Sequence, residues 1–283
     1  MGCSIAFIGA GRLGGTLALA LSRAELPVVA VASRRAESAE RLAAALNGCR
    51  AVDVVQATQA DLVFLTVPDD EIGPLAQRLP WRAGQRVVHC SGATDVAVLE
   101  PAARCGALIG GFHPLQIFSD PQRALELLAA SSVAIEGPPA LEAELRELAQ
   151  RLRMRPLALP AGARALYHGG ASFAASVLLS LLKEAVDVWS SFGIGEQEAL
   201  QALLPLARGT LDAAAVKGLA GAVAGPVSRG DAGVIERHLS ALEHLGPEHL
   251  AFYREMTRRQ LQLVREAGRL GAPQLEALEA SLR

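Results

Sequence analysis

The sequence predicts an α/β protein in which a doubly wound, mostly parallel sheet is followed by an all-helical domain. In the first half, short apolar runs alternate with helical patterns, an order typical of βαβ units with helices on both faces of a sheet. From about residue 161 onward, strand-type runs give way to long Ala/Leu patterns. We therefore predict two domains, residues 1–160 and 161–283.

Each predicted strand is an apolar run bounded by turn residues, at 4–8, 28–32, 62–67, 86–90, 107–111, 132–135 and 155–160. Predicted helices include 38–46 in the first half, and 163–192, 195–207, 211–219, 231–245, 247–267 and 273–282 in the second. Pro68 cannot continue a central strand, so residues 67–70 are predicted to form a loop at the carboxyl edge of the sheet.

A glycine motif joins the first predicted strand to the first helix. Its six residues are Gly9, Ala10, Gly11, Arg12, Leu13 and Gly14. The first glycine permits a tight turn, the second lets the backbone approach a pyrophosphate, and the third allows close packing of helix on strand. Because the N-terminus of a helix attracts anions, this context predicts a dinucleotide site, which Val67 and Pro68 should also line. A plain glycine-rich turn is the alternative.

The residues after the second predicted strand indicate which nicotinamide cofactor is bound. A site for NAD usually carries Asp or Glu there, to accept from the ribose 2′-hydroxyl. This chain has Ser33, Arg34 and Arg35 instead. A hydroxyl and two guanidinium groups suit a 2′-phosphate, so we predict NADP(H). The alternative is an ordinary solvated helix start.

Composition excludes several classes of protein. With 51% hydrophobic and 20% charged residues and a formal net charge of -2, the chain is typical of globular proteins and a poor candidate for nucleic-acid binding. The first strand begins too early to leave room for a leader, so we expect a cytoplasmic protein with no membrane partner. The apolar stretch 171–182 is predicted to be a buried helix, because it is too short to span a bilayer. The four widely spaced cysteines are predicted to be reduced, mostly buried and without metal.

Two further segments follow predicted strands and should emerge at the same edge as the glycine loop. One contains Ser91, which can orient a substrate oxygen or the carboxamide of the cofactor, or can serve only as a turn residue. The other contains His113 before Pro114, and an imidazole that titrates near neutrality can move a proton during hydride transfer. A loop histidine that bonds the backbone is the alternative.

The helical half offers two candidates for substrate contact. On one predicted helix, His168, Ser172 and Ser176 share a face, which either meets the substrate or reflects ordinary helix packing. In a Gly/Pro-rich loop, Arg229 can bind the anionic end of a substrate, while Asp231 can simply cap the next helix.

Taken together, these motifs resemble the family of Rossmann-like proteins with a C-terminal domain of unknown function, DUF2520. The resemblance rests on residues 9–14, 89–93, 113–116, 167–168, 205–210 and 225–231. That family is similar to pyrroline-5-carboxylate reductases, 3-hydroxyisobutyrate dehydrogenases and F420-dependent NADP oxidoreductases. Ser91 and His113 are also similar to a serine and a His before Pro in prephenate dehydrogenases.

The resemblance implies a Rossmann-type, NADP-linked oxidoreductase, with a small-molecule substrate, that forms a homodimer through its helical domain. The expected reaction is hydride transfer between nicotinamide and a small carbonyl, imine or alcohol that carries a carboxylate. In this reading His113 transfers the proton, Ser91 and His168 orient the substrate, and Arg229 binds its anion. The Lys-x-x-x-Asn pattern of β-hydroxyacid dehydrogenases is missing, and Ser176 lies near the position where Asn is expected. A noncatalytic NADP(H) sensor and an F420-linked enzyme are the rival interpretations.

Overall fold

The computed structural model describes residues 3–283 and divides the chain into two compact units, residues up to Ser172 and residues Phe173–Arg283. The first unit contains the whole sheet and the second is helical. The predicted fold class is therefore confirmed. The domain boundary at residue 160 stays a prediction.

One eight-stranded sheet forms the centre of the first unit, in the spatial order β3-β2-β1-β4-β5-β6-β7-β8. The strands are β1 (Ile5–Ile8), β2 (Val28–Ala32), β3 (Arg50–Ala51), β4 (Leu62–Leu65), β5 (Arg86–His89), β6 (Leu108–Leu115), β7 (Ser132–Glu136) and β8 (Arg155–Ala158). All neighbours pair in parallel except β6 and β7. The carboxyl ends of β1, β4, β5 and β6 therefore lie side by side at one edge, which we call the carboxyl rim.

Helices cover both faces of this sheet. They are α1 (Arg12–Arg23), α2 (Ala36–Ala44), α3 (Val54–Ala57), α4 (Asp69–Arg78), α5 (Glu100–Arg104), α6 (Pro121–Leu128), α7 (Pro139–Arg151) and α8 (Arg164–Ala174), the last crossing the division between units. Along β1, Ile5 and Phe7 pack into one core while Ala6 and Ile8 pack into the other. Successive side chains of a strand point to opposite faces of the sheet. Because both faces are buried here, every residue of β1 is apolar.

Two segments predicted to be loops are regular structure. His113 lies inside β6, which runs on to Leu115, and Pro114 is tolerated because beyond Gly111 the strand pairs with β7 after its ladder with β5 has ended. Asp69 and the residue after it form the first turn of α4, since Pro68 supplies the N-cap position and carboxylates suit a helix N-terminus.

The helical unit contains α9 (Ser176–Ser190), α10 (Glu196–Ala222), α11 (Pro226–Arg229), α12 (Ala232–Glu243), α13 (Pro247–Ala267) and α14 (Ala272–Ser281). The predicted break near residue 209 is wrong, because a single interior glycine costs a helix only about 1 kcal/mol. The chain kinks instead at Gly218, with a φ of 71°. The predicted continuous helix 163–192 is also wrong, since Ala175 adopts non-helical angles between α8 and α9. The break separates Ser176 from the face that carries His168.

Two burial predictions are wrong. Residues 171–182 are not a buried helix, because Phe173 and Leu179 are exposed. By length and composition alone, the segment Arg164–Ser190 is apolar enough to cross a membrane.

Of the four cysteines, which are all free, Cys90 is buried, whereas Cys3 and Cys105 are exposed. Among residues 3–283 no cluster of His, Cys, Asp or Glu is placed to hold a metal ion.

Close packing against Thr66 fixes the turn from β1 into α1. Gly9 has a φ of 119°, and a Cβ there would lie 2.4 Å from the Thr66 carbonyl oxygen. A Cβ at Gly14 would lie 2.3 Å from the Gly9 carbonyl oxygen and 2.5 Å from Thr66 Oγ1. Thr66 Oγ1 donates to the Gly9 carbonyl at 2.7 Å. The first and third glycines therefore let the helix approach the strand, as predicted from the motif.

This packing predicts opposite outcomes for two adjacent glycines. Gly14→Ala should destabilise the protein by about 1–3 kcal/mol, because its new methyl group overlaps backbone. Gly15→Ala is the matched control, since the nearest atom to its Cβ is 3.9 Å away, and it should be neutral or stabilising by up to about 1 kcal/mol. Urea unfolding of both variants measures the difference. Equal stabilities would contradict the packing argument.

Candidate active site

A pocket in the first unit lies over the glycine loop and has a volume of about 940 Å³, within the usual range for cofactor sites. Four of the six loop residues line it, and Leu13 and Gly14 do not. Further predicted residues at its wall are Ser33, Arg34, Arg35, Val67 and Pro68. The structure thus brings three separately predicted segments to one cavity.

The floor of this pocket fits a pyrophosphate. A Cβ on Gly11 would meet nothing within 4 Å, so the backbone is open to a ligand. Gly11 caps α1 without a side-chain hydrogen bond, and the first turn of α1 contains no acid. The free N–H groups and positive end of the helix therefore face the cavity. Thr16 Oγ1, on the same wall, is buried and has no partner, so it can bond a ligand oxygen.

The end of the pocket next to β2 and α2 is rich in arginine. Sequence reasoning found Arg34 and Arg35 but missed Arg41 and Ser38, which line the same wall one turn further into α2. The sequence could have indicated Ser38 and Arg41, because they lie three residues apart on the predicted helix 38–46 and therefore share a face of that helix. Arg78, from the last turn of α4, also reaches the pocket. Such a concentration of guanidinium groups suits phosphate.

Ser91 lies at the carboxyl rim, and its hydroxyl is fully engaged. It donates to Asp69 Oδ2 at 2.7 Å and accepts from the N–H groups of Ala93 and Thr94 at 3.2 and 2.9 Å. A hydroxyl has one proton and two lone pairs, so these bonds use its whole capacity. This geometry favours the turn role that the sequence left open. It also links the loop after β5 to α4, beside the pocket.

His113, Tyr167 and His168 form a cluster of rings at the same rim. The Nδ1 atom of His113 lies 2.9 Å from the Tyr167 hydroxyl, and the two rings meet edge to face. The ring centroids of His113 and His168 are 5.9 Å apart. A Cβ on Gly92 would lie 2.5 Å from His168 Cδ2 and 2.9 Å from His113 Nε2, so glycine is required there. His113 and His168, which the sequence analysis named separately, therefore lie side by side.

Burial changes the charge state of two histidines. Desolvation, followed by the charges of His168 and Arg164, lowers the pKa of His113 to about 4. Desolvation and Arg164 likewise lower the pKa of His89 to about 4. Both rings are therefore neutral at pH 7. The expectation that His113 titrates near neutrality does not hold in the folded protein.

Arg164, which the sequence analysis missed, lies beneath this cluster. Its Nε donates to Glu136 Oε2 and its Nη1 to the Ser91 carbonyl oxygen, both at 2.7 Å, and the side chain is 1% exposed. A Cβ on Gly111 would lie 1.7 Å from Nη2, so the guanidinium occupies the space that a side chain would fill. In the sequence, the only indication that Arg164 belongs to the site is that it lies close to the Tyr167–His168 motif.

Arg229 lies in the helical unit, where it ends α11 and is exposed. Its role as a contact for a substrate anion stays a prediction. The side chain of Asp231 accepts from the Val234 N–H at 3.3 Å and so caps α12, as the alternative interpretation of that residue predicted.

Comparison with known proteins shows two domain types. A model for a Rossmann-like domain matches residues 2–114, and a model for DUF2520, a domain of unknown function, matches residues 131–260. A search of curated proteins found no match to the chain.

Several solved structures share the fold over nearly their whole length. A protein from Thermotoga maritima is 22% identical with a TM-score of 0.77, covering 94% of this chain and 100% of its own. A proposed NADP oxidoreductase from Bacteroides fragilis is 26% identical with a TM-score of 0.71, covering 91% and 97%. A reductive aminase from Aspergillus terreus, solved with NADPH and ethyl-5-oxohexanoate, is 16% identical with a TM-score of 0.68 and 99% coverage of both chains. The chain therefore combines an N-terminal Rossmann-like domain with a C-terminal DUF2520 domain.

Proposed function

We propose that this protein is an NADP(H)-dependent oxidoreductase that acts on a small carbonyl, imine or alcohol bearing a carboxylate. The observation that carries the proposal is the adjacency of two features at one rim: an arginine-lined pocket over a glycine loop, and the His113 cluster on neighbouring strand ends. The Bacteroides fragilis neighbour, named as an NADP oxidoreductase, supports the same class.

The residues of the pocket fit NADP(H) in two places. The N–H groups after Gly11 and the Thr16 hydroxyl would hold the pyrophosphate, and Arg34, Arg35 and Arg41 would hold the 2′-phosphate. When bound, the nicotinamide would donate or accept a hydride. Val67 and Pro68, after β4, would line the pocket beside the glycine loop.

Around the reacting group, each rim residue has a distinct role. His113, neutral and half-buried, would contact the reacting oxygen or nitrogen. His168, which is exposed beside it, would orient the substrate, while Ser91 holds the turn in place. In the helical unit, Arg229 stays the predicted contact for the substrate carboxylate.

We further propose that a second copy of this chain covers the apolar side chains of the helical unit. On α10, Leu206, Leu211 and Val216 are 68%, 56% and 83% exposed. At about 100° per residue, successive members of this set point about 140° apart, so they occupy much of the circumference of the helix. A helix that is apolar all round is normally buried. An interlocking homodimer satisfies this requirement.

The arginine-rich wall predicts cofactor preference. We expect NADPH to bind at least tenfold more tightly than NADH, because charge-assisted contacts to the 2′-phosphate contribute about 1.5–3 kcal/mol each. Replacing Arg34 and Arg35 together by Gln should weaken NADPH binding about 10- to 100-fold and leave NADH binding nearly unchanged. Fluorescence titration measures both. Arg23→Gln, at the far end of α1, is the control, and equal affinities of the wild type for both cofactors would refute the assignment.

His113 should be needed for turnover but should not set its pH dependence near neutrality. In an assay of NADPH oxidation with a panel of oxo acids, aldehydes and imines, His113→Gln should lose about 100-fold or more in kcat. Because the ring is already neutral above a pKa of about 4, its titration should add no inflection between pH 6 and 8. His244→Gln, on an exposed helix end, is the control. Undiminished turnover in His113→Gln would remove this residue from the mechanism.

Oligomeric state tests the proposed second copy. Analytical ultracentrifugation should find a dimer at micromolar concentration, and Val216→Glu should weaken it at least about tenfold by burying a charge at the interface. Leu127→Glu, at an exposed leucine of α6 in the first unit, should leave the dimer intact. A wild-type monomer, or partition of the wild type into lipid vesicles, would overturn the proposal.

A further inference from the structure

The hydrogen bond between His113 and Tyr167 determines which ring nitrogen carries the proton. A neutral imidazole has one N–H and one lone pair, so the partner of Nδ1 fixes the state of Nε2. Nδ1 faces the Tyr167 hydroxyl at 2.9 Å. The edge of the ring that contains Nε2 faces Gly92 at the carboxyl rim.

The phenol is the donor in this pair. A phenol O–H is a stronger acid than a neutral imidazole N–H, and an imidazole nitrogen is a better acceptor than a phenol oxygen. The strongest bond between them therefore runs from Tyr167 Oη to the lone pair of His113 Nδ1. Half-burial of both side chains strengthens this preference, because water competes less for either group.

We infer that Tyr167 is a positioning residue that fixes His113 as a neutral donor with its proton on Nε2, and that the site takes a substrate whose reacting atom is a carbonyl oxygen. This inference rests on the proposed function and narrows it. A carbonyl oxygen accepts from Nε2–H, whereas a protonated imine would present its own N–H to that donor. Of the substrate classes left open above, aldehydes and ketones match the rim.

The surrounding charges agree with this assignment. From α8, Arg164 and His168 face His113, from α4 comes Asp69, and from β5 comes His89. Asp69 accepts a hydrogen bond from the Ser91 hydroxyl, and the guanidinium of Arg164 is the permanent cation in this group. A positive neighbour disfavours both an imidazolium ring and a cationic ligand, and favours an oxygen that gains negative charge.

The molecule contains a matched reference for the experiment. In the helical unit, His238 Nδ1 lies 2.7 Å from the Tyr253 hydroxyl, with ring centroids 5.7 Å apart and an interplanar angle of 81°. The corresponding values for His113 and Tyr167 are 5.7 Å and 86°. Tyr253→Phe therefore removes the same bond from a pair that has no part in the proposed site.

Nitrogen NMR of the cofactor-free protein labelled with ¹⁵N-histidine reads the tautomer directly, with His113→Gln identifying the signals. At pH 7 we expect a protonated Nε2 and an unprotonated Nδ1 in His113. Tyr167→Phe should lower the tautomer ratio roughly 2- to 10-fold, the effect of one hydrogen bond, while Tyr253→Phe should change only His238. A proton on Nδ1, an imidazolium, or no response to Tyr167→Phe would overturn the positioning role. Because no turnover is measured, this result is independent of whether the protein is an oxidoreductase.

The same ¹⁵N resonance of His113 Nε2 also tests the substrate class. Pyruvate and 2-oxobutyrate, as carbonyl probes, should shift the His113 Nε2 resonance in the NADP⁺-bound protein at least tenfold more than 1-pyrroline, the imine probe. A larger response to 1-pyrroline, or no preference for the carbonyl probes, would overturn the carbonyl assignment. Titration of NADPH alone by fluorescence shows separately whether the cofactor proposal has failed.

Discussion

The buried guanidinium of Arg164 is the constraint on which the geometry of the rim depends. A cation that is 1% exposed needs partners for its charge, and Glu136 and the Ser91 carbonyl supply them to Nε and Nη1, whereas Nη2 is buried without a hydrogen-bond partner. Removing one member of such a pair typically costs about 3–5 kcal/mol, because the other charge is left buried and alone. The first turn of α8 is thereby tied to the ends of β5 and β7. Gly111 must lack a side chain so that the guanidinium fits between them.

A second constraint acts on the glycine-loop side of the same rim. Thr66 fills the space between the first and third glycines, which fixes the start of α1 relative to β1 and leaves Gly11 open. Thr66 also precedes the segment that leads into α4, where Asp69 accepts from Ser91. One continuous set of contacts therefore runs from the glycine loop to the His113 cluster.

Sequence patterns predicted the structural features that depend on local chemistry. The glycine motif, the arginines after β2 and the alternation of strands and helices each follow from short-range rules, and they placed the pocket and the sheet correctly. The patterns missed Arg164 and Glu136, because 28 residues separate the two partners of a buried ion pair and neither looks unusual alone. They also placed His113 in a loop, because the antiparallel partner that extends β6 is a property of the whole sheet. Apolar composition alone predicted burial for residues 171–182, although the single chain leaves much of that surface exposed.

The electrostatics of the rim follow from the same contacts. Glu136 balances Arg164 in the interior, so the positive charge is tolerated without being cancelled at the His113 ring, whose pKa it helps to lower. A histidine held neutral in this way is a poor general acid, since transfer of its remaining proton would leave an imidazolate. In the proposed reaction it would instead act as a fixed dipole, directed at the oxygen that gains charge, and it would need no reorganisation at the moment of reaction. The proton that completes an alcohol would then come from water or from a group outside this ring. The buried cation below the rim and the neutral donor on it are therefore parts of one arrangement that suits charge developing on an oxygen.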